Sequence, residues 1–250
     1  MAPAYSEICF ALGRGDAVVG VTDFCVFPPE VTRAARVGGF LNPDLEKIAH
    51  LRPDLVLTAP EQGQLRQNLE ALGLRTRTLP VYSVADIFAA VEAVGKELGA
   101  EEAARRLSAT LRDATAPRPL PPGVRPPRTL LVVGRNPGEL SGIFVAGPGT
   151  FLSEVLGRAG GANVCPEGIL YPTLSLEGIA SLDPEVILEL RPGEGLTEAR
   201  RAALVADWDR MPFLRAVKSR RVFVLTEDWV DIPGPRVVQT LRLFHRLLHP

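Results

Sequence analysis

The sequence predicts an α/β protein of two lobes, each a mainly parallel sheet with flanking helices, joined by one long α-helix. Three observations point there. Short apolar runs alternate with helix-patterned runs in both halves of the chain, as buried parallel strands covered by helices do. A long helix-patterned stretch separates the halves. One segment of the first half also recurs in the second at a constant offset of 131 residues.

In the first half, residues 6–12 are patterned as helix, 17–21 as buried strand, 44–51 as helix, 54–58 as strand, 64–72 as helix and 75–79 as strand. Ser83 suits a helix N-cap, and Asp86 in the first turn favours the helix dipole. Ile87, Val91, Val94, Leu98, Ala103, Leu107 and Leu111 then keep helical spacing, with Gly99 the one weak point. An unbroken helix of this length would span on the order of 40 Å at 1.5 Å per residue. Residues 117–127, Pro-Arg-Pro-Leu-Pro-Pro-Gly-Val-Arg-Pro-Pro, read as a polyproline linker, because proline removes a donor and fixes φ. In the second half, 129–133 is patterned as strand, 150–159 and 175–182 as helix, 185–190 as strand, 198–209 as helix, 221–225 as strand and 235–248 as a closing helix. The expected division is an N-terminal lobe over 1–82, a backbone helix over 83–116, a linker over 117–127 and a C-terminal lobe over 128–250. Both lobes read as Rossmann-like.

The internal match aligns Leu45-Glu46-x-Ile48 … Leu51-x-Pro53-Asp54-Leu55-Val56-Leu57 with Leu176-Glu177-x-Ile179 … Leu182-x-Pro184-Glu185-Val186-Ile187-Leu188, without a gap. The apolar residues face a sheet, proline ends a helix and the acidic residue opens a buried strand. Glu46 and Glu177 have no such task. They read either as solvated glutamates at helix starts or as a matched pair, one per lobe, offered to a partner of two-fold symmetry.

Composition narrows the function. Hydrophobic residues make up 46 % of the 250 residues, charged residues 23 %, and the net charge is −1. That balance supplies a core and excludes a nucleic-acid footprint or a polybasic membrane surface. No apolar run reaches the ~20 residues that cross a bilayer. Cys9, Cys25 and Cys165 form no CxxC or zinc spacing, and Cys9 falls on an apolar helix face as a small buried hydrophobe. There is no Ser-His-Asp set, no paired catalytic carboxylates and no Walker motif, so no enzyme is expected. Gly147-Pro148-Gly149 ahead of a helix reads as a turn or as an anion-holding helix start.

The runs Val19-Gly20-Val21-Thr22-Asp23, Phe27-Pro28-Pro29-Glu30 and Val37-Gly38-Gly39-Phe40-Leu41-Asn42-Pro43-Asp44-Leu45-Glu46-Lys47-Ile48 resemble the class III, helical-backbone substrate-binding proteins of ABC importers, closest to the cobalamin branch. So do Val145-Ala146-Gly147-Pro148-Gly149-Thr150-Phe151-Leu152, Ala159-Gly160-Gly161-Ala162-Asn163-Val164, Leu225-Thr226-Glu227-Asp228-Trp229 and Gly234-Pro235-Arg236. The resemblance covers the whole chain in order. It implies two lobes on a rigid helical backbone, a metal-chelate ligand in the interlobe cleft, no catalytic cofactor, a periplasmic or cell-envelope location, and a monomeric receptor whose Glu46 and Glu177 meet arginines of the permease dimer. It also implies a strand and an export signal upstream of Met1-Ala2-Pro3, so a truncated start is expected.

In open α/β sheets ligands sit beyond the carboxyl ends of strands. The loops expected there are 22–28, 59–63, 134–143, 167–172 and 226–234. Phe24, Phe27, Tyr171 and Trp229 fall in them, with Phe144 at an edge, although aromatics are only 6 % of the chain. A corrin ring, with broad apolar faces and an amide fringe, suits aromatic contacts and a few placed hydrogen bonders. The resemblance implies that Asp228 and Trp229 contact the base side of cobalamin, that Tyr171 stacks, and that Phe24 replaces a wall tyrosine. Arg135 and Arg236 read as anion binders or as structural ion pairs. A ferric siderophore ranks second, because it wants a basic cluster. Haem wants a Tyr or His ligand; His50, His245 and His249 fall on helices, which leaves Tyr171. An intracellular corrinoid-handling protein is the remaining alternative.

Overall fold

The structure, a computed structural model, describes residues 2–136 and 138–250. The chain forms two compact units: the first holds residues 2–114 with Pro233–Pro235, the second Thr115–Ile232 with Arg236–Pro250.

In the first unit, α1 (Pro3–Ala11) starts with proline near its first position, where a missing N–H costs nothing, and buries Tyr5, Ile8 and Cys9. The Tyr5 hydroxyl donates to the Leu79 carbonyl at 2.5 Å. Strand β1 (Gly20–Val21) pairs in parallel with β2 (Ala35–Arg36). The strand expected over 17–21 is shorter because Gly15–Ala17 close a 3₁₀ turn. Helix α2 (Leu45–His50) is capped by Asp44, whose carboxylate accepts from the Lys47 amide at 3.0 Å. Strand β3 (Val56–Thr58), helix α3 (Gly63–Ala71) and strand β4 (Thr76–Thr78) follow, and β3 pairs in parallel with β4. The two ladders are separate sheets.

The single backbone helix expected over 83–116 is corrected to two helices, α4 (Val84–Glu97) and α5 (Glu101–Ala114). Ser83 and Asp86 do cap α4 reciprocally. The break is at Gly99, which has φ +59°. Its amide bonds back to Lys96 O, and the Ala100 amide reaches Gly95 O at 2.7 Å. This left-handed termination satisfies the last carbonyls, and glycine adopts it without a Cβ penalty. The chain then turns back. A Cβ on Gly95 would stand 2.3 Å from the Ala104 Cβ, so the missing side chain is what lets the helices touch. Ser108 Oγ donates to Glu92 Oε1 at 2.9 Å, and the Arg112 guanidinium lies 4.6 Å over the Phe88 ring. The pairs 95/104, 92/108 and 88/112 define an antiparallel hairpin. The chain passes to the second unit directly after α5.

The second unit opens with the Pro-rich stretch, mostly exposed and without regular structure, tied down where the Arg118 amide donates to Arg158 O at 3.0 Å. Its elements are β5 (Arg128–Gly134), β6 (Ile143–Val145), α6 (Phe151–Arg158), β7 (Ala162–Asn163), β8 (Thr173–Leu174), α7 (Leu176–Leu182), β9 (Val186–Leu190), α8 (Glu198–Ala206), α9 (Arg215–Lys218), β10 (Val222–Leu225) and α10 (Val237–Leu248). One sheet runs β10-β9-β5-β6-β8, with β7 also on β5. The β10, β9, β5 and β7 pairings are parallel, while β6 and β8 add antiparallel ladders that periodicity did not announce. Leu130, Val132, Ile187 and Trp208 lie in its core.

The repeat extends to the backbone. Asp44 and Ser175 cap α2 and α7, and Ile48 and Ile179 are buried while the flanking leucines are not. Arg52 and Asp183, 131 residues apart, both take left-handed conformations just before proline.

Candidate functional site

In the second unit, antiparallel pairing of β6 with β8 sets Phe144 opposite Thr173. Tyr171, two residues before Thr173, then comes within reach as the diagonal neighbour. Their rings stack with centroids 5.7 Å apart and planes 20° from parallel. On β6, Ile143 and Val145 point into the core and Phe144 points out. Ile169, Leu170 and Tyr171 are 64 %, 50 % and 42 % exposed, so this is a broad apolar surface rather than one stray aromatic. Gly147 holds the loop in place. Its amide donates to Leu170 O at 2.7 Å, and a Cβ there would fall 2.6 Å from Ile169 O. Gly147-Pro148-Gly149 therefore serves as a packed turn. Thr150 Oγ1 donates to Gly147 O and accepts from the Ser153 amide, which caps α6.

Between β10 and α10, Arg236 is buried and donates to Asp228 Oδ2 at 2.9 Å, while the aspartate remains partly exposed. Trp229 beside it is half-buried. Arg135, whose sequence position allowed an anion-binding role, instead sits in a buried network. Its Nε donates to both Glu189 oxygens at 3.0 Å, and its Nη1 meets Asp207 at 2.8 Å. Arg191 and the Trp208 indole complete the shell around Glu189. Removing one partner of such a buried pair strands the other charge, a loss of about 3–5 kcal/mol.

In the first unit, Phe24 is 61 % exposed in the loop leaving β1, with Val26, Phe27 and Leu41 also exposed. Arg36 pins that loop by donating to the carbonyls of Thr22 and Cys25. Glu46 and Glu177 are exposed second residues of α2 and α7, and neither is ion-paired among the described residues. The Ser175 hydroxyl and the residue's own amide hold the Glu177 carboxyl below the usual carboxylate range, the amide contributing most. The histidines stay away from these loops: His245 and His249 contact the carbonyls of Ala159 and Gly160. Sequence reasoning found the aromatics but missed Ile169, Leu170 and Leu41, since an aliphatic residue in a loop looks like any core residue.

A family model described as periplasmic binding protein matches residues 1–229. The chain belongs to this family. Its two-lobe α/β fold is that of the class III periplasmic binding proteins, and the expectation of a substrate-binding protein of ABC importers holds at family level. Relatives include an uncharacterised ABC-transporter substrate-binding lipoprotein of Bacillus subtilis, 27 % identical over 99 % of this chain and 78 % of that protein. A vitamin B12-binding protein of Vibrio cholerae is 28 % identical over 96 % of this chain and 84 % of that protein. Among solved structures, the periplasmic haem-binding protein BhuT with two haems superposes with a TM-score of 0.83 and 29 % identity, covering 99 % of this chain and 95 % of that one. No helix among the described residues is long and apolar enough to cross a membrane.

Proposed function

We propose that this chain is the periplasmic or cell-envelope receptor of an ABC importer, capturing cobalamin or a related corrinoid and delivering it without chemistry. The observation that carries the reading is the stacked Phe144–Tyr171 pair with Ile169 and Leu170 beside it. It offers an apolar face of the kind a corrin macrocycle covers. Charge supports the same ligand. Arg135, Arg191 and Arg236 are all ion-paired, and Arg36 is held by backbone carbonyls. An anionic chelate would need cations that are not already committed; a corrinoid fringe of neutral amides needs hydrogen bonders, which Asp228 supplies. Trp229 adds apolar surface within the second unit, Arg236 orients Asp228, and Phe24 offers an exposed ring on the first unit. Likeness to a vitamin B12-binding protein agrees. Glu46 and Glu177 dock the receptor on the permease.

Haem is the second reading, favoured by the likeness to BhuT, with Tyr171 as the phenol ligand. Protein incubated with cyanocobalamin or haemin and desalted decides between them by its visible spectrum. The expected result is a retained cobalamin band at one equivalent and no haem Soret band. Phe144→Ala and Tyr171→Ala should each weaken cobalamin binding about tenfold, the equivalent of ~1.4 kcal/mol of lost ring contact. Retained haemin with no retained cobalamin would reverse the assignment.

A further inference from the structure

We propose that His245 and His249 form a two-imidazole site for a divalent late transition metal ion at the end of α10. This inference rests on neither the ligand reading nor the permease reading.

Spacing is the first requirement. Residues four apart on a helix lie on one face, so the two rings are neighbours. The His249 amide still donates to His245 O at 3.0 Å, which keeps that spacing past Leu248, the last helical residue. Arg221 Nη2 donates to the carbonyls of Leu247 and Leu248 at 3.0 and 2.8 Å and holds the helix end closed. Both rings are half-buried.

The hydrogen bonds of the rings fix which nitrogens are left. His245 Nδ1 stands 3.1 Å from Ala159 O, and His249 Nε2 stands 3.3 Å from Gly160 O. A carbonyl only accepts, so both of these nitrogens carry hydrogen. In neutral imidazole the other nitrogen then carries the lone pair. His245 Nε2 and His249 Nδ1 are therefore the candidate ligands. A ring N–H given to a backbone carbonyl is the usual outer support of a metal-bound histidine, and here both rings have it. Gly160 makes room for the second of these bonds. It takes φ +87°, and a Cβ there would stand 2.8 Å from His249 Nε2. The carbonyls that face the rings follow the end of α6, and the carboxyl end of a helix favours positive charge.

The ring separation fits one shared ion. A metal about 2.0–2.1 Å from each nitrogen lies about 3.2 Å from each ring centroid, which puts the centroids about 4.5–5.2 Å apart for bond angles between square and tetrahedral. The observed separation is 5.1 Å, with the planes 47° apart. Two imidazole nitrogens select Zn²⁺, Ni²⁺ or Cu²⁺ over Mg²⁺ and Ca²⁺, which take oxygen. Water fills the remaining positions. The same i, i+4 pair holds zinc in H-E-x-x-H helices, but Arg246 stands where the glutamate base would, so the site binds without hydrolysing.

The test uses untagged protein at about pH 8, where ordinary imidazole is neutral, with Zn²⁺ as the probe and nitrogen NMR of the histidine rings as the readout. Before zinc, His245 is expected in the Nδ1–H form and His249 in the Nε2–H form. One equivalent of Zn²⁺ should shift His245 Nε2 and His249 Nδ1 together, leave His50 unmoved and be reversed by EDTA. An equal concentration of Mg²⁺ should move neither ring. In calorimetry, His245→Gln and His249→Gln should each lower zinc affinity about tenfold or more, and His50→Gln should not. The opposite tautomers before zinc, a shift of only one of the two rings, or unchanged affinity in either variant would overturn the site. The NMR measurement is made on the unsubstituted chain, so it decides the question even where a variant fails to fold.

Discussion

At the scale of single residues, Glu97 shows how a carboxylate near the end of a helix ties it to a strand. Arg77 and Arg75 of the β4 region both reach it, Arg75 at 2.7 Å. Hydrogen bonding from Arg77, then Arg75, holds its carboxyl below the usual carboxylate range. A folded value below the unfolded one adds stability above the unfolded range, about pH 4.3, and that increment is lost as pH falls through the folded value. Acid titration of the melting midpoint is therefore expected to be steeper for the wild type than for Glu97→Gln, with the two converging at the acid end. Parallel curves would remove the assignment. Salt should shrink the difference, since Arg75 is mostly exposed. Such pairs were not legible beforehand. Arg135 and Arg236 each admitted an anion-binding and a structural reading, because Glu189 and Asp207 approach Arg135 only after strands far apart in sequence are laid side by side.

At the scale of elements, the hairpin α4–α5 supplies a prediction whose sign is diagnostic. In a continuous helix, Gly99→Ala would stabilise by roughly 1 kcal/mol. With Gly99 at φ +59° the same change forces a side chain into a left-handed conformation and should destabilise by about 1–2 kcal/mol. Urea denaturation distinguishes the two, and a stabilised variant would restore the long helix. The sequence did mark this glycine as the weak point of the run. Periodicity could not show the reversal, because helices on both sides of a turn keep the same apolar spacing; what makes the hairpin is the Gly95–Ala104 contact. Strand content was similarly uneven. The parallel strands β3, β5, β9 and β10 were legible as apolar runs, whereas the short strands β2, β6, β7 and β8 were not read from the sequence. Yet β6 and β8 are the pair that brings Phe144 to Tyr171.

At the scale of the whole molecule, the repeated helix starts give each unit an exposed glutamate at the second position of a capped helix. If these dock on a two-fold permease, Glu46→Ala combined with Glu177→Ala should leave ligand affinity within about twofold and cut uptake at least tenfold in vesicles holding the cognate permease; exposed pairs act mainly through docking and register. Unchanged uptake would return both residues to ordinary solvated helix starts. The sequence alone determined the division into two α/β halves, the duplicated helix-strand motif and the family, because each is written in local periodicity or in a match of the chain to itself or its relatives. Only tertiary structure decided which arginines are spent on carboxylates, that residues 84–114 fold back on themselves, and that a ring on β6 meets a ring ahead of β8. Those outcomes depend on contacts between residues distant in the chain, and neither spacing nor composition carries that information.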